Sequence, residues 1–415
     1  MENKSGDLPF MRAIYRALLK SGRTYAAFER DRVLPLVQKL SYRQEILDPM
    51  AGYGTLMTYC SELGVSSFSV EYNPPAYLWE LLISPANANT FTSMANNILE
   101  PPNVLLNTSE AFAVSANWFP DISKRILIDL FCLCRTAAEN VSANNAGELA
   151  LAFILPFVGR FSTFVPGNVV THVKKGGICI YKGWQLDFNN YINAIKFMIY
   201  DNISASTIHE HHIVYGDCRT MLLPKARFPA MITSPPFPNG RDYSSMFAPE
   251  NDFIIFLASQ GLISAFDFNR RLIGTVYVSR SKKSNSCCDV RSTSARRFLS
   301  RLEAFKGTKQ AQYDNKVYYI PYYKYYFSGL EQAFANIAKA LQDDFEGYII
   351  VVNNTARNMI IPVSDAVVEA WHDLGFDASV DDELTREMAH LGSINPRVKG
   401  LKARHTEYTI KVSRK

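Results

Sequence analysis

Short blocks of apolar residues, each closed by a polar, glycine or proline stop, recur along the chain and alternate with segments of helical spacing. "QEILDPMAGYGT" (44–55) reads as a short strand running into a glycine turn, and "LMTYCSELG" after it reads as a helix that stops at Gly64. "SSFSVEYNPPA" (66–76) alternates and ends in an acid and a turn, and "HHIVYGDCRTML" (211–222) and "RFPAMITSPPF" (227–237) repeat that strand-then-turn form. Further on, "LEQAFANIAKALQDD" predicts a helix, "GYIIVVNNT" a strongly apolar strand, "VSDAVVEAWHDLGF" another helix, and "HTEYTIKVS" a strand with clean alternation. Strands alternating with helices predict an α/β protein whose mostly parallel sheet is covered on both faces.

Two regions break this rhythm and divide the chain into five parts. Residues 1–90, 211–245 and 325–415 carry the strand–helix pattern of one core. Residues 91–210 read as a mainly helical insertion, and 246–324 as a basic one. From Arg270 to Lys324 there are 13 Lys/Arg against 3 Asp/Glu, an excess of +10 in a chain whose net charge is only +5. So one-sided a stretch suits a phosphate-contacting surface, with Lys282, Lys283, Arg296, Arg297 and Arg301 as candidates. Six tyrosines between 318 and 326 follow at once; some suit stacking on bases, and half or more suit the core.

At 415 residues there is room for two or three domains, or for one large α/β core with insertions. No apolar run reaches the roughly 18 residues of a membrane span, and the opening residues lack the apolar core of a secretory signal. Seven cysteines without repeated spacing suit a reducing cytoplasm. The pairs Cys132/Cys134 and Cys287/Cys288 lack zinc-ligand spacing, so no metal is expected.

The candidate chemistry sits at the strand ends. Asp48 closes the first strand, with Gly52 and Gly54 in the turn; the Gly-Lys-Ser/Thr ending of a P-loop and the third glycine of a dinucleotide fingerprint are both missing. Glu71 follows about 20 residues later, placed to bond ribose hydroxyls, and Asp217 ends the third strand as an acceptor for an adenine amino group. Ser234-Pro235-Pro236-Phe237 ends the fourth. Two prolines forbid helix and hold a stiff extended corner, with a hydroxyl before it and an aromatic face after it.

These motifs resemble those of S-adenosylmethionine-dependent DNA amino-methyltransferases. "DPMAGYGT" is similar to that family's cofactor motif, usually Asp-Pro-Phe-x-Gly-x-Gly-Thr. "TSPPF" is similar to its Ser/Asp/Asn-Pro-Pro-aromatic catalytic motif, in the Ser form typical of N4-cytosine enzymes. "VEYNPPA" and "YGDCRTML" stand where the family has its ribose- and adenine-binding acids. The resemblance covers roughly 40–80, 212–245 and, more loosely, 325–415. Met50 replaces the common aromatic residue, and about 140 residues separate the second and third acidic tips, where the family has a short connection.

The resemblance implies a Rossmann-like methyltransferase sheet, and the charge excess makes 246–324 the expected DNA-binding insertion. It implies S-adenosylmethionine held by Asp48, Pro49, Met50, Gly52, Gly54, Thr55, Glu71, Tyr72, Asp217 and Cys218. Catalysis falls to Ser234, Pro235, Pro236 and Phe237, acting on the N4 amine of a cytosine flipped from double-stranded DNA. Arg241 and Tyr243, on the continuing loop, join the DNA contacts. The expected setting is a restriction–modification system, with a cognate restriction endonuclease as partner. N6-adenine methylation, methylation of RNA or of a protein glutamine, and a catalytically silent DNA-binding subunit stay open. The C5-cytosine pattern needs a Pro-Cys nucleophile, and the chain contains no Pro-Cys dipeptide.

Overall fold

A computed structural model describes residues 29–98, 119, 121–141, 144–162, 164–165, 172–173, 183–196, 209–238, 247–267, 272–275, 289–389 and 402–415. Seven strands form its central sheet: β1 (Glu45–Asp48), β2 (Ser66–Glu71), β3 (His211–Tyr215), β4 (Phe228–Thr233), β5 (Leu341–Asn353), β6 (Phe376–Ala389) and β7 (Lys402–Arg414). Their order is β6-β7-β5-β4-β1-β2-β3. The strands from β3 across to β5 pair in parallel, and β7 runs antiparallel to both β5 and β6. This is the expected α/β arrangement, a mostly parallel sheet with helices on both faces. Among the described residues no helix is long and apolar enough to cross a membrane.

Side chains on successive strand residues face opposite ways, and here both faces are buried. Ile46, Ala230, Ile232, Tyr348 and Ile350 pack against α1 (Arg30–Leu40) and α2 (Thr55–Glu62). Their neighbours Leu47, Met231, Ile349 and Val351 face the opposite layer. That layer consists of α9 (Thr293–Glu303), α11 (Ile320–Ile337) and α12 (Val363–Asp373), numbered in chain order among the helices named below.

The region expected as a helical insertion does contain helices: α4 (Ala88–Asn97), α5 (Asp121–Glu139), α6 (Ala146–Val158) and α7 (Trp184–Lys196). They share one apolar core, built around Phe91, Phe131, Phe153 and Phe188, with α3 (Pro74–Ile83) before them and α8 (Ala248–Ser259) after them. The boundary near 90 therefore falls inside α4. Nor do the described residues of 246–324 pack together as one unit. Helix α8 joins the helical layer, whereas α9 and α11 lie on the sheet. The reason is the stripe Ala295, Phe298, Leu299 and Leu302 on α9, which is buried at helical spacing while the charges occupy the outer face. A short helix, α10 (Lys309–Asp314), precedes α11.

Two element readings change. The helix over "LEQAFANIAKALQDD" stops at Ile337, and its last four residues begin β5, where the Gln342 side chain donates to the Arg227 carbonyl at 2.7 Å. Strand β6 carries little apolar signal because it is a sheet edge: Phe376 and Ala378 are buried, whereas Asp377 and residues 379–383 are exposed.

Candidate active site at the carboxyl edge of the sheet

The tips of β1, β2, β3 and β4 open onto one cavity of about 150 Å³. It lies where the chain reverses direction across the sheet, between β1 and β4. Every residue expected to hold a cofactor or to act in catalysis lines it, except Asp48 and Gly54.

Asp48 is fully buried beneath the glycine turn. Its Oδ1 accepts from the Met50 N–H at 3.2 Å and from the Thr233 hydroxyl at 2.8 Å. Its Oδ2 has no hydrogen-bond partner among the described residues. Burial pushes its carboxyl up to about 7, against the downward pull of Thr233 and Met50. Asp48 thus braces the turn from below and is not part of the cavity wall.

Glu71 does reach the wall. Its Oε2 accepts from the Gly52 N–H at 2.7 Å and its Oε1 from the Asn73 N–H at 2.6 Å. Burial raises it to about 7 in spite of those donors. Gly52 has φ +57°, and no atom stands within 4 Å of where a Cβ would sit, so the backbone is bare towards the cavity. Gly54, with φ +67°, serves close packing instead, since a Cβ there would meet Glu80 Cγ at 2.5 Å. Glu80 is fully buried on α3, and burial raises its carboxyl well above the usual carboxylate range, with Asp48 and Glu71 adding to the effect.

At the third tip the expected amine acceptor is already engaged. Arg219 Nη2 donates to Asp217 Oδ2 at 2.6 Å, and Arg219 Nε bonds both carboxylate oxygens at 2.9 and 3.0 Å. Arg219 Nη1 donates to the Tyr325 hydroxyl at 2.8 Å, and Arg219 lines the cavity. Asn336 on α11 fixes the loop by donating to the carbonyls of Cys218 (3.0 Å) and Met221 (2.8 Å). Tyr72 stacks on Tyr215, with ring centres 5.9 Å apart.

The fourth tip carries the proline corner. Thr233 turns inward to Asp48, and half-buried Ser234 turns to the cavity. Behind the corner, a Cβ on Gly274 would lie 3.8 Å from the Phe237 carbonyl, from Pro236 Cβ and from the Tyr322 hydroxyl, so the segment 272–275 wedges between the corner and α11.

Thr233, Arg219, Tyr53, Phe247, Leu272 and Ile273 belong to this site and were not among the expected residues. Arg219 had a legible signal, a cation two residues after a strand-tip acid. Phe247, Leu272 and Ile273 are ordinary apolar residues brought in from distant segments and had none.

Of the expected DNA contacts, Arg296, Arg297 and Arg301 are exposed on α9 and do not line the cavity. Among the described residues, Arg297, Arg301, Lys306, Lys309, Lys316 and Lys324 are exposed and in no ion pair. By contrast Arg32 pairs with Glu407 and Asp382, and Arg227 with Glu45. Arg241, Tyr243, Lys282 and Lys283 lie outside the described residues. Of the tyrosine run, Tyr322, Tyr323 and Tyr326 are core, and Tyr318, Tyr319 and Tyr325 are half-buried.

No family model matches the chain, and no curated protein does. Among solved structures, the rRNA methyltransferase aviRa from Streptomyces viridochromogenes aligns over 94% of this chain and 87% of its own, with 8% identity and a TM-score of 0.31. At so loose an overlap, the meaning of the site has to come from its own residues.

Proposed function

We propose that the protein is an S-adenosylmethionine-dependent DNA methyltransferase that modifies the exocyclic N4 of cytosine, as the modification enzyme of a restriction system. One observation carries this reading: the glycine turn, the acidic strand tips and the Ser-Pro-Pro-Phe corner converge on a single cavity.

The residues suit the cofactor. The bare backbone at Gly52 admits a ligand at close range. Glu71 holds two backbone N–H groups and keeps lone pairs for ribose hydroxyls. Thr55, Tyr72, Met50 and Pro49 form the rest of that wall, and the backbone at Cys218 edges the adenine side. An adenine amine there shares Asp217 with Arg219. When bound, the cofactor supplies a methyl group on a cationic sulfur, whose bond electrons stay with the sulfur as the new N–C bond forms.

The chain's own part is positioning. Phe237 stacks on the flipped base, while the Ser234 hydroxyl and the Pro235 carbonyl accept from its amine and aim the nitrogen lone pair. The amine's surplus proton leaves to water, and no covalent enzyme intermediate forms. The exposed cations along α9 to α11 supply a surface for the phosphate backbone.

Incubating unmethylated plasmid DNA with the protein and S-adenosylmethionine, then weighing the digested nucleosides, tests the reading. N4-methyldeoxycytidine is expected. Dominant N6-methyldeoxyadenosine would move the assignment to adenine, and cofactor binding without methylated DNA would leave a silent DNA-binding subunit. Ser234→Ala should cut turnover about 100-fold or more, with cofactor affinity nearly intact, as expected for a group that only meets the target amine.

A further inference from the structure

The Thr233–Asp48 bond joins the two halves of the chemistry. Thr233 is the last residue of β4 and immediately precedes Ser234; Asp48 is the last residue of β1 and immediately precedes the cofactor turn. Both are fully buried, 185 residues apart in sequence, and joined at 2.8 Å. The same Asp48 oxygen takes the Met50 N–H, so one atom fixes the start of the glycine turn and the start of the proline corner together. Direct backbone pairing between these strands is sparse, with Leu47 opposite Met231 as the register pair. Past that pair the side-chain bond ties the two tips together at the cavity edge.

We propose that Thr233 is a positioning residue for methyl transfer, setting the acceptor corner against the donor turn through Asp48. This rests on the methyltransferase reading above. In-line displacement forms the N–C bond as the S–C bond breaks, with the electron pair moving to sulfur and a proton leaving the amine to water. Its rate depends steeply on the distance and angle between two separately bound groups, and a misplacement of about 1 Å costs about 100-fold. Thr233 touches neither group. It acts only by holding the strand tips in register, and Ser234, pointing to the other side of the strand, does the bonding to substrate.

The test compares wild type, Thr233→Val and Thr233→Ser in three measurements. Calorimetry gives the dissociation constant and the number of S-adenosylmethionine sites. Single-turnover transfer of a tritiated methyl to unmethylated plasmid DNA, scaled to those sites, gives the rate. Hydrogen exchange reports on peptides spanning 47–55 and 231–237. Thr233→Val is expected to bind the cofactor within about threefold of wild type, to transfer methyl about 10- to 100-fold more slowly, and to exchange faster in both peptides. Thr233→Ser, which keeps the hydroxyl, should recover most of the rate and the protection. Thr233→Cys, of similar size with a weaker donor, should fall between them and substitutes if the valine variant does not fold. A valine variant that transfers as fast as wild type overturns the positioning role, and so does a slowed serine variant. A wild-type protein that binds the cofactor but labels no DNA overturns the underlying reading as well, and is recognised by that missing signal.

Discussion

Asp48 and Glu71 hold the glycine turn with carboxyls that burial has pushed up to about 7. A carboxyl raised in the folded state contributes stability that is complete below its unfolded value, near 4, and is lost as pH climbs through the folded value. The ligand-free protein is therefore expected to melt at lower temperature at pH 8 than at pH 6. A cationic ligand in the cavity favours both carboxylates in ionised form, so S-adenosylmethionine should bind more tightly as pH rises from 6 to 8. Binding should also release protons, which calorimetry in buffers of different ionisation heat detects. Proton uptake on binding would contradict this account. The two glycines separate along another line. Gly52→Ala meets no neighbour and carries only the strain of φ +57°, about 1–2 kcal/mol, yet its methyl enters the cavity and should weaken cofactor binding at least tenfold. Gly54→Ala adds a clash with Glu80 and should lower the melting temperature further than Gly52→Ala does. Equal losses would remove Glu80 from the explanation.

Helix α9 shows why charge misleads at the level of an element. Its exposed arginines and the lysines after it made the whole stretch read as an insertion, while the buried Ala295, Phe298, Leu299 and Leu302 mark it as one wall of the sheet core. Counting charges along the chain averages over both faces of a helix; reading every third or fourth residue does not. The helix is also anchored at its start, where the Ser292 hydroxyl donates to Glu369 on α12 and the Ser292 N–H to Glu331 on α11. Replacing Arg296, Arg297 and Arg301 together by alanine should therefore leave the melting temperature almost unchanged. The same change should weaken DNA binding and reduce its salt dependence by up to about one unit of log–log slope per lost phosphate contact. An unaltered slope would place the duplex on another face.

Across the whole molecule, what the sequence made legible was local: strand tips followed by Gly, Asp or Pro, where the stop and the chemistry share the same residues. Glu71, Asp217 and Ser234 stood out for that reason, and the fold brings all three to one cavity. What stayed hidden depends on pairings that no short window contains, such as Thr233 with Asp48, Arg219 with Tyr325, and the apolar wall of Leu272 and Ile273. Packing is hidden on the same ground: α8 and α9 both fall in the stretch read as one basic insertion, yet they pack into different cores. The bond between Asp48 and Thr233 has a further consequence in time. At roughly 5–20 residues per second, a ribosome needs about 10–40 s after making β1 to deliver its second sheet partner. Over that interval the apolar edge of β1 is open to chaperones or to other nascent chains, and the binding cavity lacks its fourth wall. On the proposed reading, a methyl donor that needs all four walls can stabilise the finished protein but cannot template its early collapse. Added to a refolding mixture, it should raise the final yield without speeding the first phase.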